Sequence, residues 1–247
     1  MYTTFGQPLT GSKRLICYPY AGAGSGIYRR WPGRFADLDV IVARLPGRDN
    51  LFGQPAITGF GPLVQYLLSD IRPHTDVPFA LFGHSMGGLL AYEIARLLQD
   101  SGRPPALLVV SGAEAPQDVA ARCREPLDDA SVLEIMRRNG GASDEALADR
   151  ELMRLMIPVM RADLEVLASY QYRHPLAPLR VPTRFYFGTD DEPDPELLRK
   201  RWEEAVGAPV TAHEFPGDHF FLHSAHDAVT RTLADHIDMA VRLRDDS

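Results

Sequence analysis

The sequence predicts an α/β protein in which a mainly parallel sheet is covered by helices on both faces. Short apolar runs alternate with amphipathic segments along most of the 247 residues, which is the pattern of strands joined by helices. The apolar run at 79–82 passes through a glycine-rich turn directly into helical spacing. The interval 113–178 has helical patterns and no convincing strand, so we expect an all-helical insertion between two strands of the sheet.

The remaining elements follow in order along the chain. Residues 1–12 are expected to form a loose lead-in, 14–19 a buried strand, 20–26 a glycine-rich loop and 27–36 a short helix. Further strands are predicted at 39–45, 106–112, 183–188 and 210–215, and helices at 60–71, 89–97, 131–138, 145–171, 197–206 and 225–241. We expect one domain, 1–247, that contains the insertion at 113–178.

Composition narrows the class of protein. The net charge of −7 argues against non-specific binding to nucleic acid, and no apolar run is long enough to span a membrane. The first residues show no secretion signal. Cys17 and Cys123 are far apart and have no metal-type spacing, so we expect neither a disulfide framework nor a metal, and a cytoplasmic location.

A nucleophile elbow is predicted at 83–87, where the sequence reads Gly-His-Ser-Met-Gly between a strand and a helix. Ser85 would occupy a strained position at the helix N-terminus, and small residues at Gly83 and Gly87 would avoid collisions with neighbouring backbone. The alternative is a glycine-rich turn with a surface serine. We expect His84 to support the turn rather than to act as a base.

A base and an acid for Ser85 are available downstream, in the order serine, acid, histidine. Asp190 and Asp191 follow the strand at 183–188, and His219 follows the strand at 210–215. Loops at the carboxyl ends of parallel strands carry the active sites of such sheets. We expect Asp191 to be the acid because it lies three residues after the glycine, with Asp190 as the alternative.

The histidines after the last strand allow a second interpretation. His219, His223 and His226 have a spacing that could place three imidazoles on one helical face, as in a zinc site. No Glu follows the first of them as in a zincin motif. We therefore favour His219 as the catalytic base and expect the other two to be ordinary polar positions.

An oxyanion hole requires two preorganised N–H donors. The backbone N–H of Met86 follows the nucleophile, and the glycine-rich loop at 20–26 offers the N–H of Ala21. The same loop could be a flexible turn or a phosphate cradle. No Gly-Lys-Ser/Thr follows it, which disfavours a P-loop.

Several segments together resemble one family. They are 19–24 (PYAGAG), 45–48 (LPGR), 83–88 (GHSMGG), 158–163 (PVMRAD), Ser169-Tyr170 and 217–221 (GDHFF). These resemble the type II thioesterases, which are stand-alone editing hydrolases of polyketide and non-ribosomal peptide assembly lines. The chain departs from the family's common pattern at Tyr20, where His is usual, at Ala23, where Gly is usual, and at Asp49-Asn50-Leu51.

The resemblance implies an α/β-hydrolase fold in which residues 113–178 form a helical lid. It implies hydrolysis of acyl thioesters held on the phosphopantetheine arm of an acyl or peptidyl carrier protein, by a Ser85–His219–Asp191 triad. We expect a monomer with no cofactor of its own, and no nucleic-acid or membrane partner. The lid residues expected to face substrate are Met153, Met156, Met160 and Leu164, although such residues could simply pack the lid.

A carrier protein of the usual acidic kind would need a local positive patch on this acidic chain. The arginines near the lid that could form it are Arg122, Arg124, Arg137, Arg138, Arg161 and Arg173. The alternative is that they lie on solvated helix faces or in intramolecular ion pairs, such as a pair of Arg161 with Asp163 or with a core carboxylate. Three other functions use the same fold: a general esterase or lipase, an acyltransferase, and a binding module without chemistry. Turnover of acyl-carrier thioesters against free esters, and labelling by a fluorophosphonate, separate them.

Overall fold

The computed structural model describes residues 1–121, 128–138, 143–173, 177–191 and 194–245. The strands in these residues are β1 (Tyr2–Thr3), β2 (Lys13–Tyr18), β3 (Leu38–Ala43), β4 (Phe79–His84), β5 (Leu107–Ser111), β6 (Thr183–Gly188) and β7 (Val210–Phe215). They form one sheet in the order β1-β3-β2-β4-β5-β6-β7. The β1 strand pairs antiparallel with β3, and the other pairs are parallel, which confirms the predicted class.

Helices join the strands and cover the sheet. The described helices are α1 (Phe60–Leu68), α2 (Met86–Asp100), α3 (Pro116–Ala121), α4 (Asp129–Arg138), α5 (Asp144–Ala148), α6 (Arg150–Ala168), α7 (Pro195–Val206), α8 (Phe221–Ser224) and α9 (His226–Asp245). The described residues between β5 and β6 contain α3 to α6 and no strand.

Each face of the sheet has its own core. Ile16 and Tyr18 of β2 pack into the cluster beneath α1, α2 and α7, whereas Leu15 and Cys17 pack into the cluster beneath α9. This alternation places residues 15–18 of the strand against one core or the other. A central parallel strand therefore needs a continuous apolar sequence, which is the pattern that predicted it.

Two predictions near the N-terminus were wrong. Residues 1–12 are not entirely a loose lead-in, because Tyr2 lies opposite Ala43 in β1. A two-residue strand is too short to show alternation and depends on the edge of β3 for its hydrogen bonds. The expected helix at 27–36 is instead a pair of 3₁₀ turns, Ser25–Tyr28 and Pro32–Arg34.

The lid contains a small core of its own. Val132, Met136, Met153, Ile157 and Met160 form this lid cluster, which joins α4 to the first part of α6. The helix α6 contains Pro158, whose ring nitrogen cannot donate to the carbonyl four residues earlier. Nearer its C-terminal end, α6 packs into the core under the sheet through Val166, and Tyr170 follows it there. The two ends of α6 therefore rest on different cores.

Helix length and polarity also bear on the membrane prediction. Among the described helices, none combines the length and the apolar character that a membrane span needs.

Candidate active site

The turn between β4 and α2 has the geometry of a nucleophile elbow. Ser85 has φ 53° and ψ −120°, a conformation that costs an L-residue about 1–3 kcal/mol. A Cβ atom on Gly83 would collide with the carbonyl oxygen of Gly87, and one on Gly87 would collide with that of Tyr18. The two glycines thus allow the tight turn that leaves Ser85 at the positive end of the α2 dipole.

The loops after β6 and β7 bring an acid and a histidine together. A Cβ atom on Gly188 would collide with the carbonyl oxygen of Gly217, so these loops lie in contact. Asp191 Oδ2 is 3.1 Å from His219 Nδ1, and Oδ1 is 3.2 Å from it. Asp190 is exposed, and its N–H donates to the Gly217 carbonyl. The structure therefore brings Asp191, rather than Asp190, to His219.

His84, within the elbow, packs against His219. Its Nδ1 is 2.9 Å from Ser111 Oγ, and its ring centroid is 5.0 Å from that of His219. Burial, together with the nearby His219 and His223, lowers the pKa of His84 well below its ordinary value. His84 is therefore a neutral, packed side chain. Because Ser85 follows it directly, the serine and His219 lie at the same edge of the sheet.

His223 and His226 have their own partners. The Tyr20 hydroxyl is 3.0 Å from His223 Nε2, and His226 Nδ1 is 3.1 Å from Asp227 Oδ1. Within the ranges that the structure describes, no group of three His, Cys, Asp or Glu side chains could hold a metal ion. One ring nitrogen of each histidine in the zinc alternative is thus engaged with a protein group.

The glycine-rich loop forms a tight turn beside the elbow. The Ala23 N–H donates to the Tyr20 carbonyl at 3.1 Å, and Gly22 has φ 80°. A positive φ at the third position of such a turn is that of a type II turn and favours glycine. Ala21 is the second residue of this turn, and Met86 begins α2, where the first N–H groups have no acceptor within their helix.

The four lid residues expected to face substrate belong to the lid cluster or pack against it. Met153 and Met160 belong to the lid cluster, and Met156 and Leu164 lie half-buried against it. Met160 also approaches the glycine-rich loop, since a Cβ atom on Gly22 would lie 3.0 Å from its sulfur. Of the four, Met160 has a demonstrated contact with the loop that holds Ala21.

Sequence reasoning did not find the partner of Asp163. The expected alternative, a pair with Arg161, is wrong because Arg161 pairs with Asp129. Asp163 is instead paired with Arg48, 115 residues away in the sequence. One signal was available: Met160 and Val166 flank Asp163 at helical spacing, so this acid had to lie on the buried face of α6 and required a buried partner.

The arginines expected to dock a carrier protein have mixed surroundings. Arg137 is exposed and pairs with Glu134 at 2.9 Å, and Arg138 is exposed one residue later. Arg173 lines a surface cleft of about 330 Å³ beside Arg96. Arg122 and Arg124 lie outside the described residues.

The sheet order, the elbow at Ser85 and the helices over the sheet define a protein of the α/β-hydrolase class. The Thioesterase domain family matches residues 13–237, and the chain belongs to this family. It is therefore an enzyme of the thioesterase type, a serine hydrolase that acts on thioesters.

Relatives and solved structures agree with this assignment. The gramicidin S biosynthesis protein GrsT of Aneurinibacillus migulanus is 34% identical over 215 residues, which cover 86% of this chain and 84% of that protein. The structure of RedJ, a thioesterase from the prodiginine pathway of Streptomyces coelicolor, superposes with a TM-score of 0.83 at 34% identity and covers 93% of this chain and 88% of its own. The structure of YbtT, a type II thioesterase of the yersiniabactin pathway, gives 0.84 at 29% identity, with 97% and 99% covered. The resemblance to type II thioesterases is confirmed.

Proposed function

We propose that this protein hydrolyses acyl thioesters from the phosphopantetheine arm of acyl or peptidyl carrier proteins, and so removes stalled or aberrant acyl groups from a polyketide or non-ribosomal peptide synthase. Family membership and relatives from such pathways support the class of reaction. The observation that carries the chemistry is the Asp191–His219 contact at the sheet edge that also holds the strained Ser85.

The acylation half begins at Ser85. His219 accepts the serine proton, and Ser85 Oγ attacks the thioester carbonyl to form a tetrahedral oxyanion. The N–H groups of Met86 and Ala21 stabilise that oxyanion. When it collapses, the C–S bond breaks, and the phosphopantetheine thiolate leaves with the proton from His219.

The deacylation half repeats these steps with water. His219 accepts a proton from water, the hydroxide attacks the acyl-Ser85 carbonyl, and a second tetrahedral oxyanion forms. Its collapse returns the proton to Ser85 Oγ and releases the carboxylic acid. The part of Asp191 in both halves is to orient the imidazole and stabilise the imidazolium.

The lid supplies the apolar side of the site in this proposal. Met153, Met156, Met160 and Leu164 are the side chains of α6 that would meet the acyl chain, and Met160 already lies against the glycine-rich loop. Methionine side chains are flexible and polarisable, so they suit a site that accepts several acyl groups.

The experiment is intact-protein mass spectrometry of carrier proteins with different acyl loads, before and after exposure to the enzyme. We expect the acyl mass to disappear and the free carboxylic acid to accumulate, with Ser85→Ala slower by at least ~10³-fold. Formation of an ester or amide instead of the acid would identify an acyltransferase. Faster turnover of free esters than of acyl-carrier thioesters would identify a general esterase. If the protein neither turned over these substrates nor was labelled by a fluorophosphonate, it would be a binding module without catalytic activity.

A further inference from the structure

A buried carboxylate on the lid helix lies outside the proposed triad. Asp163 of α6 is 1% exposed and accepts hydrogen bonds from three N–H groups. Arg48 donates through Nη1 to Oδ2 and through Nη2 to Oδ1, both at 2.6 Å, and the Gly22 N–H donates to Oδ2 at 2.7 Å. Arg48 is itself only 7% exposed. Burial of both charges costs solvation energy. The bidentate hydrogen bonds between Arg48 and Asp163 and the additional bond from the Gly22 N–H offset this cost.

The backbone group bound by Asp163 is the central peptide of the Tyr20–Ala23 turn. In a type II turn, the peptide between the second and third residues can rotate to the type I orientation unless its N–H is held. That N–H belongs to Gly22 and points at Asp163, while Arg48 Nη1 donates at 3.0 Å to the Ala23 carbonyl at the end of the turn. The ion pair therefore fixes both the middle and the end of the turn that contains Ala21.

The next residues of the glycine-rich loop are held by Asp49, which directly follows Arg48 after β3. Asp49 Oδ2 accepts hydrogen bonds from the Ser25 N–H and the Ser25 hydroxyl, both at 2.7 Å. A Cβ atom on Gly24 would collide with the Asp49 carboxylate. Consecutive residues after β3 thus clamp the glycine-rich loop at two points, and α6 supplies the buried acid that completes the first clamp.

We propose that Arg48 and Asp163 are positioning residues that hold the Ala21 N–H in place as an oxyanion donor. This inference rests on the proposed function. Neither side chain touches the reacting atoms. Because the oxyanion forms only during reaction, a misplaced donor weakens binding of the transition state and leaves binding of the substrate's ground state nearly unchanged.

The test compares two ligands, of which only one can form an oxyanion when it binds at the serine. A trifluoromethyl ketone analogue of an acyl-pantetheine forms a tetrahedral adduct with the serine, whereas the matching alkyl-pantetheine thioether has no carbonyl. In Asp163→Asn, we expect kcat on a small acyl thioester to fall about 10- to 100-fold, and the ketone affinity to fall by the same factor, since one oxyanion donor contributes about 10²–10³. KM and the thioether affinity should stay within about twofold of the wild type.

Arg48→Lys gives the same test where Asp163→Asn does not fold, since lysine keeps the positive charge and loses the bidentate fork. Val166→Ala is the matched control, because Val166 is buried on the same helix and its truncation destabilises the fold without removing a charge or a hydrogen bond. We expect this control to lower the melting temperature and to leave the ratio of the two affinities unchanged.

Two results overturn the proposal. One is a folded Asp163→Asn or Arg48→Lys variant with wild-type kcat and ketone affinity. The other is an equal loss of ketone and thioether binding, which would mean that the ion pair only supports the shape of the pocket. A wild-type enzyme that neither turns over the thioester nor binds the ketone would instead contradict the proposed function.

Discussion

At the scale of single residues, two adjacent carboxylates follow β6, and the backbone directs them differently. The Asp191 carboxylate contacts His219 Nδ1. The Asp190 side chain is exposed, and the Asp190 N–H donates to the Gly217 carbonyl. The contact between Gly188 and Gly217 brings the two loops close enough for the Asp191 contact to form. Any side chain at Gly188 would separate the acid from the imidazole.

We expect Asp191→Asn to lower kcat/KM by about 10³- to 10⁴-fold, because an amide no longer fixes the imidazole tautomer or stabilises the imidazolium. Asp190→Asn serves as the matched control and should stay within about threefold of the wild type, as expected for an exposed side chain that holds no catalytic group. Steady-state kinetics on a small acyl thioester measure both. If the larger loss belonged to Asp190→Asn, the acid would be Asp190.

At the scale of elements, α6 combines two environments within one helix. Its first part rests on the lid cluster, and its second part enters the main core through Val166 and the buried Asp163. Just past its end, Ser169 Oγ accepts the Phe60 N–H at 2.8 Å, and the Tyr170 hydroxyl donates to Glu93 at 2.7 Å. The change between the two environments lies after Met160, which still belongs to the lid cluster, and before Val166.

This division predicts unequal amide exchange along α6. Amides at 162–168 should exchange only on global unfolding, because their half of the helix is bound into the main core. Amides at 154–157 should exchange through a local opening of lower free energy, since the lid cluster is small. Native-state hydrogen exchange followed by mass spectrometry measures both. Identical opening free energies in the two halves would show that α6 moves as one rigid unit.

The exposed arginines of α4 give a second prediction at this scale. Arg137→Glu with Arg138→Glu should raise KM for an acidic acyl-carrier substrate and weaken its dependence on salt. The ion pair of Arg137 with Glu134 is exposed, so its loss should cost at most about 1 kcal/mol of stability. Hydrolysis of a small thioester without carrier is the control and should be nearly unchanged. Equal loss on both substrates would mean that the charge reversal damaged the lid.

At the scale of the whole molecule, several histidines are held neutral by burial. The pKa of His236 is lowered to about 4 by burial, by His213 and by Arg184, and its Nδ1 is 2.6 Å from the Tyr186 hydroxyl. Burial is also the main cause that lowers the pKa values of His84 and His213. In the unfolded chain, each of these groups titrates near about 6.5.

Below pH ~6.5 the unfolded chain therefore binds more protons than the folded protein, and the free energy of unfolding must fall as the pH falls. For His236 this loss extends from pH ~6.5 down to about 4. We expect urea unfolding to show lower stability at pH 5 than at pH 7. His236→Gln should have a shallower pH dependence than the wild type. If stability depended on pH equally in the two proteins, His236 would not be a cause of the pH dependence.

Much of this molecule could be predicted because local pattern and burial coincide. The central strands are covered on both faces, so they had to be apolar runs, and the elbow required glycines on both sides of Ser85. The choice of Asp191 followed from its spacing after Gly188. The roles assigned to these residues remain predictions.

The features that were missed depend on distant parts of the chain. The strand β1 exists because β3 offers it an edge, and α3, which no predicted helix covered, has six residues and little periodicity. The partner of Asp163 comes from a loop 115 residues earlier, and no local pattern connects the two. Apolar spacing shows that a carboxylate is buried, but the identity of its partner requires the fold.

The separate lid cluster has a consequence for protein engineering. Substitutions at Met153 and Met156 alter side chains that pack within the lid cluster and against it, so they change the lining of the lid while the ion pair beneath the glycine-rich loop stays intact. Libraries that redirect the enzyme to new acyl groups should therefore vary the residues of α4 and α6 that form or line the lid cluster. On our proposal, variation at Asp163 would instead lower turnover, since its ion pair with Arg48 holds the turn that contains Ala21.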